Sequence, residues 1–204
     1  EKNILNTLKE NNPEYTHEIY TDEEIDRFVQ ENYDGEILEC YNKLNIIVAK
    51  VDFWRYLILY KKGGIYLDID SCINKSIDSF ITDDDDAYIT REGNKLFYVQ
   101  WALFFSKEHP ILKKTIELVV DNIKNNRYPH DIHKKTGPTV ITRAINMVSN
   151  GKDIISNCTF YGNKDGIYET EGKKYRISGK DFNRNLRWDM ILKNIAKLLN
   201  ETLC

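Results

Sequence analysis

Asp68 and Asp70 stand one residue apart at the end of a short apolar run, Ile65-Tyr66-Leu67. In an extended strand, side chains at i and i+2 point the same way. Tyr66, Asp68 and Asp70 would then share one face, and Ile65, Leu67 and Ile69 the other. Two carboxylates this close repel each other unless a cation sits between or beside them. An all-oxygen donor set suits Mg²⁺ or Mn²⁺, ions that usually complete their shell with water and substrate phosphates. The pair is therefore a candidate grip for a metal-bridged diphosphate. A bare D-x-D is short and common, so the surrounding residues must carry the reading with it.

Just upstream, Asp52 and Arg55 are spaced i, i+3 within a helix expected over residues 45–62, which puts them on one face. The plainest account is a surface ion pair worth a few tenths of a kcal/mol. If helix and strand converge instead, Asp52, Arg55, Asp68 and Asp70 line one cleft. Trp54, Tyr56, Leu57 and Ile58 would then pack the helix against the sheet. Lys61 and Lys62 in the last turn, followed by Gly63-Gly64, mark where that helix must stop.

The remaining elements follow from local signals. Asn12-Pro13 reads as a turn, 18–20 as a short strand, and Thr21 with Glu24 as a capping box opening a helix. A short helix is expected over 36–44, a buried strand in "FYVQWALFFS" and an amphipathic helix over 109–125. Another helix over 136–149 is opened by Gly137-Pro138. Residues 158–178 alternate like short strands. Trp188, Ile191, Leu192, Ile195, Leu198 and Leu199 share the face of a closing helix, a core-packing pattern. Strands alternating with helices predict one α/β domain over 1–204 with a mostly parallel central sheet, whose ligands bind beyond the carboxyl ends of its strands.

The bulk numbers exclude some classes. With 204 residues, a net charge of −3 and both signs mixed along the chain, bulk electrostatic binding of nucleic acid is not expected. Lys50, Asp52 and Arg55 interrupt the best apolar stretch, so no membrane span is expected. Cys40, Cys72, Cys158 and Cys204 are widely separated and form no C-x-x-C pair, which reads as free thiols in a reducing compartment. The sequons at Asn74, Asn157 and Asn200 are about what chance gives in so Asn-rich a chain. The expected location is the cytoplasm or the cytosolic face of a membrane, with a Golgi-type lumen as the alternative if an upstream anchor has been removed. "DDDD" at 83–86 reads as a solvated acidic loop, and His130 with His133 as surface residues rather than a metal pair.

Taken together, "VDFWRYLILYKKGGIYLDID" closely resembles the signature of glycosyltransferase family 32: an Asp, two residues, Arg-Tyr, a Leu-rich turn, Gly-Gly, and a strand ending in D-x-D. That family holds fungal initiating α-mannosyltransferases, inositol-phosphoceramide mannosyltransferases, bacterial capsule glycosyltransferases and relatives of the clostridial toxin glucosyltransferases. "NNPEYTHEIYTDEE", "VQWALFFSKEHPIL" and "TGPTVITRAI" extend the resemblance to roughly residues 12–145, strongest over 49–71. Two elements depart from it. The sequence begins after the family's usual first strand, which helps hold the nucleotide base, so either the start has been trimmed or the base is held differently. Its closing Ser-Trp is represented only by Trp188, with Asn183 or Asn185 nearby, which leaves a third metal ligand unassigned.

The resemblance implies a GT-A fold and transfer of a hexose from a UDP- or GDP-linked sugar to a glycan, lipid or protein acceptor, with retention at the anomeric carbon. It implies that Asp70 binds Mn²⁺ or Mg²⁺ directly and that Asp68 meets the donor ribose or the ion through water. Asp52 and Arg55 would hold hydroxyls of the sugar, with Gly137 and Trp188 beside the donor. Gln100, on the middle strand, is the residue to watch beneath the sugar. Two rival classes are weaker. A haloacid-dehalogenase-type phosphohydrolase would need Thr or Val where Cys72 stands, and it leaves Asp52, Arg55 and Gly63-Gly64 without a role. A binding module without turnover would not need all four charged groups.

Overall fold

The computed structural model describes residues 2–71, 73, 75–93, 96–150 and 165–178. Trp188, the closing helix, the three sequons, Cys72, Cys158 and Cys204 lie outside these residues. The chain starts with helix α1 (Lys2–Asn11) and α2 (Asp22–Asn32). The capping box of α2 forms as expected: the Glu24 amide donates to Thr21 Oγ1 at 3.3 Å and the Thr21 amide to Glu24 Oε2 at 2.8 Å. Helix α3 (Gly35–Asn42) leads into α4 (Ile47–Lys62), which is buried over nearly its whole middle, from Asp52 to Leu59. Gly63 ends it at φ +70°, its amide donating to Leu59 O at 2.8 Å. A Cβ on Gly63 would stand 2.7 Å from the Lys107 amide nitrogen, so this tight reversal requires glycine. It turns the chain straight into β1 (Gly64–Leu67).

After β1 come a 3₁₀ turn (Ile77–Ser79), β2 (Ala87–Thr90) and β3 (Ala102–Phe105). Helices α5 (Pro110–Lys124), α6 (Ile132–Lys135) and α7 (Pro138–Asn150) follow, then the hairpin β4 (Gly166–Thr170) and β5 (Lys173–Ser178). The sheet order is β1-β3-β2-β5-β4. One face carries Tyr66, Leu103, Phe105, Ile89 and Tyr175 into a core shared with α2, α4, α5 and α7. The other carries Ile65, Leu67, Tyr88 and Phe104 into a second core with Ile73, Ile77 and Trp101. Burial on both faces explains why β3 is continuously apolar and why every residue of β2, Thr90 included, is buried.

The α/β architecture is as expected, but the sheet is mixed. Among the described strands only β2 and β5 pair in parallel; β1–β3, β2–β3 and β4–β5 are antiparallel. The connections are the cause. Among the described residues, β2 and β3 are joined with no helix between them, closed by the bridge Arg91↔Tyr98, and the α-helices lie before β1 and between β3 and β4. A parallel neighbour needs a long crossover, and an antiparallel one does not. The strand expected over 18–20 does not form. That segment has no assigned secondary structure, and Tyr20 instead packs on Trp54 with ring centres 5.1 Å apart.

The acidic run 83–86 is also more built-in than a solvated loop. The Asp85 side chain is 2% exposed, takes the Arg176 guanidinium at 3.1 Å and caps Thr82, whose amide donates to Asp85 Oδ2 at 3.1 Å. Asp86 accepts from the Lys174 amide at 2.9 Å. His133 Nδ1 meets Thr139 Oγ1 at 2.7 Å, a local tie at the start of α7.

Candidate functional site

Strand β1 ends at Leu67, not at Asp70. The Asp68 amide makes the last ladder bond, to Trp101 O at 2.8 Å, and the chain then turns, the Ser71 amide returning to Asp68 O at 2.8 Å. The two acids therefore sit on a turn rather than on a pleated strand. Asp68 keeps the strand face it shares with Tyr66, whose hydroxyl donates to Asp68 Oδ1 at 2.6 Å. Ile69 does not follow Ile65 and Leu67 inward; it is 58% exposed at the tip. Asp70 is half-buried on the same turn.

Because Gly63-Gly64 reverses the chain, α4 runs back along β1 and brings Arg55 level with Asp68. Arg55 Nη1 lies 3.3 Å from Asp68 Oδ1 and donates to Gln100 O at 3.3 Å, while Nη2 lies 3.0 Å from Asp52 Oδ1. Asp52 and Arg55 are 5% and 6% exposed, so they form a buried pair, not a surface one. Gln100, just before β3, turns its amide onto Asp52 Oδ1 at 3.2 Å and also donates to the Tyr56 hydroxyl. Thr136 Oγ1 donates to Asp52 Oδ2 at 3.1 Å, and the Tyr56 hydroxyl donates to Thr136 O at 3.1 Å. Both Asp52 oxygens thus have donors from three separate elements, the arrangement a buried charge requires.

Burial pushes the Asp52 carboxyl up to about 6, against the opposing pull of Arg55 and Thr136. Burial alone would lower the Arg55 pKa, but Tyr66, Asp52 and Asp68 around it hold it above the ordinary value, so the guanidinium stays charged. Desolvation likewise raises the Tyr56 and Tyr66 phenols, which remain neutral donors.

The structure brings together Asp52, Arg55, Asp68 and Gln100, with Asp70 on the adjoining turn. Gly137 lies at the back of this group. It is buried, its carbonyl 3.5 Å from the Tyr56 hydroxyl, and a Cβ there would stand 2.8 Å from His133 Cα, which gives the glycine a packing reason. Tyr56, Tyr66 and Thr136 belong to the cluster but are absent from the site read in the sequence. For two of them a signal existed: Tyr56 is i+4 from Asp52 on the same helix face, and Tyr66 is i−2 from Asp68 on the same strand face. Thr136 is 84 residues from Asp52, and no local pattern joins them.

The donor set fits a hard divalent cation. Asp68 and Asp70 offer only carboxylate oxygen, and among the described residues no group of three or more His, Cys, Asp or Glu side chains could cage an ion alone. A site with two protein carboxylates leaves positions for diphosphate oxygens and water, as Mg²⁺ and Mn²⁺ prefer. Asp68 Oδ1 is engaged by Arg55 and Tyr66. Among the described residues, no helix is long and apolar enough to cross a membrane.

Residues 1–87 match the model of a family described as "Glycosyltransferase sugar-binding region containing DXD motif". An initiation-specific alpha-1,6-mannosyltransferase of Candida albicans is 23% identical over 174 residues, covering 68% of this chain and 45% of the relative. The protein of the same name from Schizosaccharomyces pombe is 28% identical over 167 residues, covering 66% and 41%. The chain thus spans less than half the length of these curated relatives. Among solved structures, PaToxG Glycosyltransferase is similar with a TM-score of 0.51 and 25% identity, over 59% of this chain and 43% of that one.

Proposed function

We propose that the chain, whose residues 1–87 match the DXD glycosyltransferase model, binds a nucleotide-diphosphate sugar through a divalent cation at Asp70 and Asp68 and transfers its hexose to an acceptor. The observation that carries this reading is the buried Asp52–Arg55 pair reaching Asp68 immediately behind the turn. Such a network costs desolvation at every charge, and the same turn carries Asp70. When bound, the cation would neutralise charge developing on the departing diphosphate. Arg55 holds a fixed positive charge behind the same position, and Asp52 supplies an acceptor for sugar hydroxyls once ionised. Gln100 and Thr136 keep Asp52 in place.

For a retaining transfer with no protein nucleophile beside the sugar, the reaction runs on one face of the ring. The acceptor hydroxyl oxygen bonds to the anomeric carbon as the bond to the leaving phosphate oxygen breaks, and the hydroxyl proton passes to that phosphate. Enzyme side chains then serve to orient donor and acceptor rather than to bond to them. Both mannosyltransferase relatives make GDP-mannose the first donor to test, with UDP-glucose second.

The test is a turnover assay of each donor with Mn²⁺ or with chelator, the released sugar or transfer product being followed by NMR. Cation-dependent cleavage that first yields the α product from an α-linked donor supports the reading. Cleavage that is indifferent to chelator, or that first yields the inverted anomer, contradicts it.

A further inference from the structure

Tyr66 is tied to both charged partners at the turn. Its hydroxyl donates to Asp68 Oδ1 at 2.6 Å, and its ring centre lies 4.7 Å from the Arg55 guanidinium carbon. The ring is itself held edge-on by Trp54 at 6.0 Å, and Trp54 is braced by Tyr20 at 5.1 Å. The backbone on both sides is fixed by pairing, Tyr66 opposite Leu103 and the Asp68 amide on Trp101 O. We infer that Tyr66 is a positioning residue for the cation site: it anchors one oxygen of Asp68 and sets the plane of Arg55 against which that carboxylate is oriented.

The chemistry follows from the geometry. Two donors, the phenol and Arg55 Nη1, converge on the same Asp68 oxygen, and this fixes rotation of the carboxylate about its own axis. A carboxylate left to rotate beside Asp70 would swing away from its like-charged neighbour, and each ion bound would then have to reverse that swing. Anchoring done in advance removes that cost from binding. Arg55 reaches Asp68 through Nη1, its other nitrogens being committed to Asp52 and Val51 O. The inference rests on the proposed cation site and assigns a residue that supports it from behind.

The experiment is Tyr66→Phe, which keeps the ring on Arg55 and Trp54 and removes only the anchor. GDP and UDP are titrated at a series of Mn²⁺ concentrations and again with chelator, alongside urea midpoints. In a parallel arm without nucleotide, electron paramagnetic resonance follows Mn²⁺ alone. The expected result is that Tyr66→Phe needs about tenfold more Mn²⁺ for half-maximal nucleotide binding and weakens Mn²⁺ alone in the same direction. The urea midpoint stays at the wild-type value. An unchanged Mn²⁺ requirement overturns the inference, as does a weakened Mn²⁺ response accompanied by a matching fall in the urea midpoint, the mark of a merely structural role. If wild type responds to Mn²⁺ in neither arm, the cation site itself fails and takes this inference with it.

Discussion

Asp52 and His109 are both ionisable, both buried and both attached to helices packed on the sheet, yet they are surrounded by different materials. Asp52 is held by Arg55, Gln100 and Thr136, groups drawn from three parts of the chain. His109 sits among rings, with Phe105 at 5.1 Å and Tyr175 at 6.3 Å, and its one hydrogen bond to protein is as the N-cap of α5, Nδ1 accepting from the Ile111 amide at 3.2 Å. Among the described residues its Nε2 has no hydrogen-bond partner. Burial and nearby Lys173 push it down to about 4, so it remains a neutral cap. The contrast separates two uses of a buried polar group. His109 closes a helix end and leads nowhere, whereas the Asp52 cluster continues through Arg55 to Asp68 at the surface, which is what a binding site needs and a cap does not.

The largest expected effect that would break this contrast is at Arg55. Arg55→Met strands Asp52 without its charge partner, and a loss of about 3–5 kcal/mol in urea unfolding at neutral pH is expected. A loss under about 1 kcal/mol would mean the network is no more than a surface pair.

Next come the pH dependences, which should have opposite signs. The Asp52 carboxyl rises from 3.8 to about 6 on folding, so its contribution is full below 3.8 and is lost as pH climbs through 6. The His109 ring falls from 6.5 to about 4, so its contribution is full above 6.5 and is lost as pH drops through 4. Each is worth about 3 kcal/mol across its window. The windows overlap, and in wild type the two largely cancel. His109→Asn, which preserves the cap, should therefore gain stability relative to wild type between pH 6.5 and 4. Asp52→Asn should lose it over the same range. Urea midpoints at four or five pH values check both, and matching slopes in the two variants would contradict the assignment.

The smallest effect sharpens the comparison. Thr136→Val removes one donor to Asp52 while keeping shape, and about 1–3 kcal/mol should be lost. Because the bond favours the ionised carboxylate, the loss should be greater at pH 8 than at pH 4.

What the sequence revealed and what it hid divide along chain separation. The capping box at Thr21 and Glu24, the glycine stop of α4, and Asp52 with Arg55 were legible because each is a relation within a turn or two of helix. The D-x-D was legible as chemistry, but its turn was not, because pleat alternation cannot show where a ladder ends. Gln100 was singled out without its partner. That partner, Asp52, is 48 residues away, and Thr136 stands still farther from it. The direction of β3 between β1 and β2 was equally hidden, since it depends on how residues 91–101 double back.

The central claim is that Asp68 and Asp70 hold a cation that in turn holds a nucleotide diphosphate. Isothermal titration of GDP and UDP into wild type and Asp70→Ala, each with Mn²⁺ and with chelator, tests it most directly. The account predicts that one nucleotide binds only with Mn²⁺, and that Asp70→Ala abolishes this binding while leaving the urea midpoint unchanged. Nucleotide binding of equal strength with chelator, or in Asp70→Ala, would contradict it.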